Sequence, residues 1–151
     1  MILDNDKRID EKIKGAMQPE NAEKILIVDD EKDIRKLVGI YLKRQGYQIL
    51  EAENGKQAID LVRENSDIDL IIMDIMMPVM NGYEAAKMIR SLDREDAKVI
   101  PIIAMTANAF IEDRMRAKEA GMDEHIAKPV DRKLLVKVIN ELVKHNQREK
   151  L

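Results

Sequence analysis

Five polar residues in this sequence could do chemistry together, because each stands at the end of a short apolar segment. They are Asp29, Asp30, Asp74, Thr106 and Lys128. Three carboxylates that lie close together repel one another and favour a bound cation, and carboxylate oxygens suit a hard divalent ion, most naturally Mg²⁺. A carboxylate beside such an ion can attack phosphorus and form an aspartyl phosphate. The lysine ammonium and the threonine hydroxyl could then stabilise the charge on the phosphoryl oxygens.

The apolar segments read as short buried strands that alternate with amphipathic helices. We predict strands at residues 25–28, 47–52, 70–73, 99–104 and 125–127. We predict five helices that alternate with these strands, and one of them is expected over about 107–120. This alternation indicates an α/β fold with a doubly wound, five-stranded parallel sheet covered on both faces by right-handed crossovers. Because ligands bind at the carboxyl ends of the strands in such sheets, the five polar residues are expected to meet at one edge.

The composition excludes several classes of protein. The chain has 151 residues, enough for one domain, and its formal net charge of −3 is unlike that of a dedicated nucleic-acid binder. It has no cysteine, which excludes disulfides, thiolate metal sites and cysteine nucleophiles. No apolar run approaches the roughly 18 residues of a membrane span, and the acidic start is unlike a signal peptide. We therefore expect a cytoplasmic chain without direct nucleic-acid or membrane contacts.

Each of the five residues also has a simpler interpretation. Asp29 and Asp30 could cap the first helix, Asp74 could form a turn, Thr106 could cap the helix that follows it, and Lys128 could be a solvated surface charge. No glycine-rich phosphate-binding loop follows the first strand, which argues against a nucleotide site. The functional interpretation depends on all five residues standing at four strand ends on the same edge.

Four motifs give the chain a strong resemblance to the receiver domain of two-component response regulators. They are ILIVDDE at 25–31, DLIIMDIMMPVMNGYE at 69–84, PIIAMTANA at 101–109 and AGMDEHIAKPVD at 120–131. The resemblance covers about 24–145 and implies a flavodoxin-like sheet with strand order 2-1-3-4-5. We predict a receiver domain at 24–146, a flexible tail or interdomain linker at 1–23 and a frayed tail at 147–151.

The resemblance implies a role for each matching residue. Asp74 is expected to be the phosphoacceptor, and Asp30 and Asp74 are expected to bind Mg²⁺ together with the backbone carbonyl of Met76. Asp29 is expected to support the ion through water.

Two further residues are expected to act on the phosphoryl group. Thr106 binds it and moves to do so, whereas Lys128 bridges toward its oxygens. The resemblance also implies a cis bond between Lys128 and Pro129, which X-Pro sequences tolerate.

Two positions depart from the best-known members. Met76, two residues beyond the acceptor, would face the attacking water, and because a thioether orients water poorly we predict slow hydrolysis. Asn108, two residues beyond Thr106, could partly compensate. His125 occupies the switch position, three residues before Lys128, where many members have Tyr or Phe. It is either a partly exposed polar residue or a smaller switch that depends on its protonation.

Four methionines cluster around the predicted acceptor. They are Met73, Met76, Met77 and Met80. We interpret them as packing and loop-filling residues rather than as a metal or redox site.

The leading hypothesis is a phosphorylatable switch whose surface at the fourth helix, fifth strand and fifth helix changes its affinity for a partner. The expected phosphodonor is a histidine kinase or a histidine phosphotransfer domain, and a homodimer could form on phosphorylation. The motifs are most similar to receivers of hybrid sensor histidine kinases. Such a receiver is expected to catalyse its own phosphorylation and slow dephosphorylation, and is not a conventional turnover enzyme unless it is part of a hybrid histidine kinase.

Two alternatives remain. A receiver-like binding module would not be phosphorylated, although all five site residues are present. An aspartyl-nucleophile phosphatase usually has a second aspartate two residues after the first, where this sequence has Met76.

Overall fold

The computed structural model describes residues 22–107 and 111–150, except the side chains of residues 111 and 145–150. Five strands form one parallel sheet in the order β2-β1-β3-β4-β5. They are β1 (Lys24–Val28), β2 (Gln48–Ala52), β3 (Ile68–Asp74), β4 (Ile102–Thr106) and β5 (Glu124–Ala127). The predicted fold class and strand order are therefore confirmed.

Six helices lie within the described residues. They are α1 (Lys32–Lys43), α2 (Gly55–Glu64), α3 (Gly82–Arg90), α4 (Glu95–Val99), α5 (Ile111–Glu119) and α6 (Arg132–Lys150). None of them has both the length and the apolar composition needed to cross a bilayer.

Each face of the sheet has its own apolar core, because successive side chains of a strand point to opposite faces. Leu26 and Val28 pack in one core with residues of α2 and α3, whereas Ile25 and Ile27 pack in the other with residues of α1 and α6. All four side chains are fully buried, and each contributes about 1.5–3 kcal/mol to stability. The two cores hold the strand ends in fixed relative positions.

The prediction that the fourth strand begins at Val99 was wrong. Val99 is the last residue of the short helix α4, and β4 begins at Ile102. Glu95 and Asp96 in the first turn of α4 complement the helix dipole. Pro101 then keeps Ile100 out of the helical conformation, and Ile100 is extended with φ −57° and ψ 128°.

Ala107 is not helical, and α5 is described from Ile111 onward. Glu112 and Asp113 give the helix an acidic first turn there. Residues 108–110 lie outside the described residues, so the predicted start of this helix stays a prediction. The predicted tail at 1–23 lies almost wholly outside the described residues. α6 continues to Lys150, and the fraying of 147–151 and the domain boundaries remain predictions.

Candidate functional site

The ends of four strands bring the predicted residues to one edge of the sheet. Val28 is paired with Met73, so Asp29 and Asp74 leave adjacent strands at the same level. Asp74 is in turn paired with Met105, the residue before Thr106. Asp29, Asp74 and Thr106 are the buried polar residues of the described chain, at 0%, 2% and 6% exposure. Burial of two carboxylates so close together is costly unless a cation lies between or beside them.

Lys128 is the cation that the structure shows at this position. Its Nζ lies 3.1 Å from Oδ2 of Asp29 and 3.2 Å from Oδ1 of Asp74. Its backbone N–H donates to the carbonyl of Thr106 at 2.8 Å, and its bond to Pro129 is cis, as the resemblance implied. The lysine side chain is 19% exposed, so the interpretation of Lys128 as a solvated surface charge was wrong.

Charge and burial shift the pKa values of this pair. Burial and, second, repulsion from Asp29 raise the pKa of Asp74 to about 6, although Lys128 and the N–H of Met76 oppose the shift. Burial by itself would lower the pKa of the Lys128 ammonium, but the close carboxylates of Asp29 and Asp74 raise it instead. At neutral pH the site therefore holds a lysine ammonium beside carboxylates, one of which is unusually basic.

The turn between β1 and α1 holds three consecutive acidic residues. Carboxylate oxygens of Asp29, Asp30 and Glu31 lie within 4.8 Å of one another. Oδ1 of Asp29 accepts the N–H of Glu31 at 2.8 Å. Oδ2 of Asp29 is buried and accepts no well-oriented hydrogen bond, even though the Lys128 ammonium is near. This oxygen and an oxygen-only ligand set fit a hard divalent cation.

The turn also decides between the two interpretations of its aspartates. The N-cap residue of α1 is Glu31, and no side chain provides a capping hydrogen bond there. The interpretation of Asp29 and Asp30 as helix caps was therefore wrong. Glu31 is a further candidate ligand that was not predicted from the sequence. Its place directly after two aspartates is the signal that could have identified it.

The loop after β3 positions Asp74 from the other side. A Cβ atom on Gly82 would lie 2.4 Å from the carbonyl oxygen of Asp74, so this close approach requires glycine. The N–H of Gly82 donates to the carbonyl of Ile75 at 3.0 Å. Asn81 and Glu84 form a capping box that starts α3 at this point. The loop therefore closes tightly behind the carboxylate.

The methionines of this region divide into two groups. Met73 and Met77 are buried and Met80 is half-buried against the same core, as the packing interpretation predicts. Met76 is 73% exposed, so it does not pack in the core and is a residue of the loop after β3. Its backbone N–H donates to Oδ1 of Asp74 at 3.2 Å. Met76 therefore lies beside the entrance to the Asp74 carboxylate.

The remaining predicted residues lie on β4 and β5. Thr106 ends β4 and is buried. Because residues 108–110 lie outside the described residues, its interpretation as the cap of the following helix stays a prediction. His125 is half-buried on β5, where it is paired with Ala104. Asn108 lies outside the described residues.

A parallel sheet of order 2-1-3-4-5, with carboxylates, a hydroxyl and an ammonium at its carboxyl edge, defines a CheY-like receiver. The profile of the response regulator receiver domain family matches residues 25–140, and the chain belongs to this family. It is therefore a receiver domain of two-component signalling.

Two curated relatives show how much of a longer protein such a domain occupies. The chain is 38% identical over 122 residues to hybrid signal transduction histidine kinase I of Dictyostelium discoideum, covering 78% of this chain and 7% of that protein. It is 41% identical over 128 residues to transcriptional regulatory protein ResD of Bacillus subtilis, covering 85% of this chain and 51% of ResD. The chain thus spans about half of one relative and a small part of the other.

Solved structures agree with this assignment. The receiver domain of sensor histidine kinase PA1611 from Pseudomonas aeruginosa is 32% identical, with a TM-score of 0.74 over 82% of this chain and 98% of that one. That structure has a magnesium ion coordinated in its active-site cleft. A CheY-like receiver from Methanospirillum hungatei is 28% identical, with a TM-score of 0.76 over 85% of this chain and 98% of that one.

Proposed function

We propose that Asp74 accepts a phosphoryl group from a phosphohistidine and thereby switches a partner-binding surface of this receiver. The observation that carries the proposal is the environment of Asp74. Its carboxylate is 2% exposed at the end of β3, and Oδ1 lies 3.2 Å from the Lys128 ammonium. A buried carboxylate with a fixed cationic neighbour is a preorganised nucleophile rather than a surface charge.

The raised pKa of Asp74 favours this role. A carboxyl with a pKa of about 6 is mostly ionised at neutral pH and more basic than an ordinary aspartate. One of its oxygens attacks the phosphorus, the bond from phosphorus to the donor imidazole nitrogen breaks, and the electron pair of that bond stays on the imidazole. The Lys128 ammonium stands where it can pair with the oxygens of the incoming group.

The acidic turn is proposed to hold Mg²⁺. Asp30 and Asp74 with the backbone carbonyl of Met76 would ligate the ion, and Asp29 would support it through water. Glu31 offers a further carboxylate oxygen, within 4.8 Å of those of Asp29 and Asp30. When bound, the ion supplies positive charge to the phosphoryl oxygens. The buried Oδ2 of Asp29, which accepts no well-oriented hydrogen bond, supports this assignment.

We propose that Thr106 transmits phosphorylation from Asp74 to a partner-binding surface. The hydroxyl of Thr106 would bind the phosphoryl group, and the surface formed by α5, β5 and α6 would change its partner affinity. His125, half-buried on β5, is the proposed switch residue. The exposed thioether of Met76 should orient the attacking water poorly and prolong the phosphorylated state.

A receiver of two-component signalling implies a histidine kinase partner. We propose that the immediate donor is such a kinase or a histidine phosphotransfer domain, in the cytoplasm. The similarity to a hybrid histidine kinase supports an origin in a hybrid kinase. Dimerisation on phosphorylation remains a further prediction, which sedimentation of the phosphorylated domain would test.

The test is incubation with Mg²⁺ and acetyl phosphate, followed by intact-mass measurement. We expect one added phosphoryl group on the wild type and none on Asp74→Asn. Asp69→Asn is the matched control, because Asp69 is the second residue of the same strand, at the opposite edge of the sheet, and accepts the N–H of Lys24 at 2.8 Å. The absence of an adduct on the wild type would favour a binding module. Continuous turnover of phosphoesters would favour a phosphatase.

A further inference from the structure

Arg35 connects the acidic turn to two neighbouring elements. It lies on α1, and its Nη1 donates to the backbone carbonyl of Asp29 at 2.7 Å. Its Nε donates to Oε1 of Glu51 on β2 at 3.3 Å. The arginine side chain is only 12% exposed. One guanidinium therefore bridges α1, the turn after β1 and the edge strand β2.

Hydrogen bonds hold Asp29 at its backbone N–H, at its backbone carbonyl and at one carboxylate oxygen. Its N–H donates to the carbonyl of Ala52 at 3.2 Å, and its carbonyl accepts from Arg35. Its Oδ1 accepts the N–H of Glu31 at 2.8 Å. The three carboxylates of this turn repel one another, so without such bonds the turn would open to separate them.

We propose that Arg35 is a positioning residue that holds the Asp29–Glu31 turn in the conformation that receives the cation. This inference rests on the proposed Mg²⁺-dependent phosphorylation of Asp74. Arginine suits the task because its rigid planar fork donates in two directions at once. A lysine ammonium retains the charge but lacks that fork, so charge and geometry can be separated by substitution.

The first measurement uses the protein without any divalent cation. Amide hydrogen exchange is followed by NMR at the N–H of Glu31, which donates to Asp29. We expect exchange at Glu31 to be roughly tenfold faster in Arg35→Gln, because the turn opens more often. In Arg35→Lys the acceleration should be smaller. Amides in the centre of β3 should exchange at the wild-type rate in both variants once global stability has been corrected for.

The second measurement is the dissociation constant of Mg²⁺, obtained from amide chemical shifts during titration with MgCl₂. Arg35→Gln should bind the ion roughly tenfold more weakly, which is at the lower end of the losses seen when a residue that orients a ligand is replaced. Arg35→Lys should fall between this variant and the wild type. Glu51→Gln should have a smaller effect, because Arg35 keeps its bond to Asp29.

Two control variants separate positioning from other effects. Arg90→Gln removes a similarly buried guanidinium, 18% exposed, that donates to the carbonyl of Gly121 at the opposite edge of the sheet. It should lower stability but leave the Mg²⁺ dissociation constant within twofold. Lys36→Gln removes an exposed positive charge from the same helix and should also leave that constant within twofold.

The outcomes distinguish this inference from the proposed function. Unchanged Glu31 exchange in Arg35→Gln would overturn the inference, as would a Lys36→Gln variant that weakens Mg²⁺ binding equally. A wild type that binds no Mg²⁺ would contradict the proposed function, and the exchange measurement would still decide whether Arg35 holds the turn.

Discussion

Replacing Asp74 by asparagine should stabilise the domain, and the gain should grow as the pH rises. The pKa of Asp74 is raised from 3.8 to about 6 in the folded protein, first by burial and second by repulsion from Asp29. Between these two values the folded state binds more protons than the unfolded state. Its stability therefore falls as the pH rises through this window.

The magnitude follows from the pKa shift. A shift from 3.8 to about 6 corresponds to about 3 kcal/mol of stability lost once the pH is well above 6. Because Asp74 is 2% exposed, solvent screens this effect little. Asparagine has nearly the same shape and no charge. Its stability advantage should be about 1 kcal/mol at pH 4.5 and about 3 kcal/mol at pH 8.

The assay is urea unfolding followed by far-ultraviolet circular dichroism, because the chain has no tryptophan for fluorescence. Wild type, Asp74→Asn and the control Asp69→Asn are compared at pH 4.5 and pH 8 with EDTA present. The control should show a pH dependence like that of the wild type. An advantage of Asp74→Asn that is no larger at pH 8 than at pH 4.5 would refute the reasoning. Addition of Mg²⁺ at pH 8 should reduce the advantage, because the ion stabilises the ionised wild-type site.

Four other outcomes are expected. Val79 is fully exposed with φ 69°, a conformation that strains a β-branched residue, so Val79→Asn should raise stability by about 1 kcal/mol in thermal unfolding. Gly82→Ala should lower stability by about 3 kcal/mol or more and reduce the phosphorylated fraction, because its Cβ would meet the carbonyl of Asp74; an unchanged mass spectrum and melting curve would contradict this. Met76→Asn should hydrolyse its aspartyl phosphate several-fold faster, because an amide can orient water, and an unchanged dephosphorylation rate would count against the assigned role. His125→Ala should reduce the NMR shifts that phosphorylation causes near α5, and shifts equal to those of the wild type would contradict a switch role for this half-buried residue.

Much of the fold could be predicted because its signals are local. The apolar runs at 25–28 and 70–73 identify strands buried on both faces, and a polar residue at the end of each run must lie at the carboxyl edge of a parallel sheet. That rule places Asp29 and Asp74 at the same edge of the sheet, whereas their position on neighbouring strands follows from the strand order 2-1-3-4-5 that the resemblance implied. Val99 was assigned to the wrong element because Val99 and Ile100 have the apolar pattern of a strand start. The acidic turn at Glu95 instead begins a short helix, and Pro101 ends it.

The sequence by itself determined which residue types stand at the strand ends, and therefore the class of site. It also determined the cation preference, since three neighbouring carboxylates and no cysteine leave only oxygen ligands and imidazoles. The types of neighbouring residues along the chain are enough for these conclusions, because the patterns that indicate strands, turns and helices extend over only a few residues.

Only the tertiary structure decided the ion pairs, the solvent exposure and the pKa values of the site. Lys128 lies between Asp29 and Asp74, which belong to different strand ends. Arg35 of α1 likewise bonds to Glu51 of β2, and the packing of the elements leaves Met76 exposed to solvent. Burial and Coulomb interactions depend on distances between segments that are far apart in sequence. The raised pKa of Asp74 is therefore a property of the packed sheet and not of the motif that contains it.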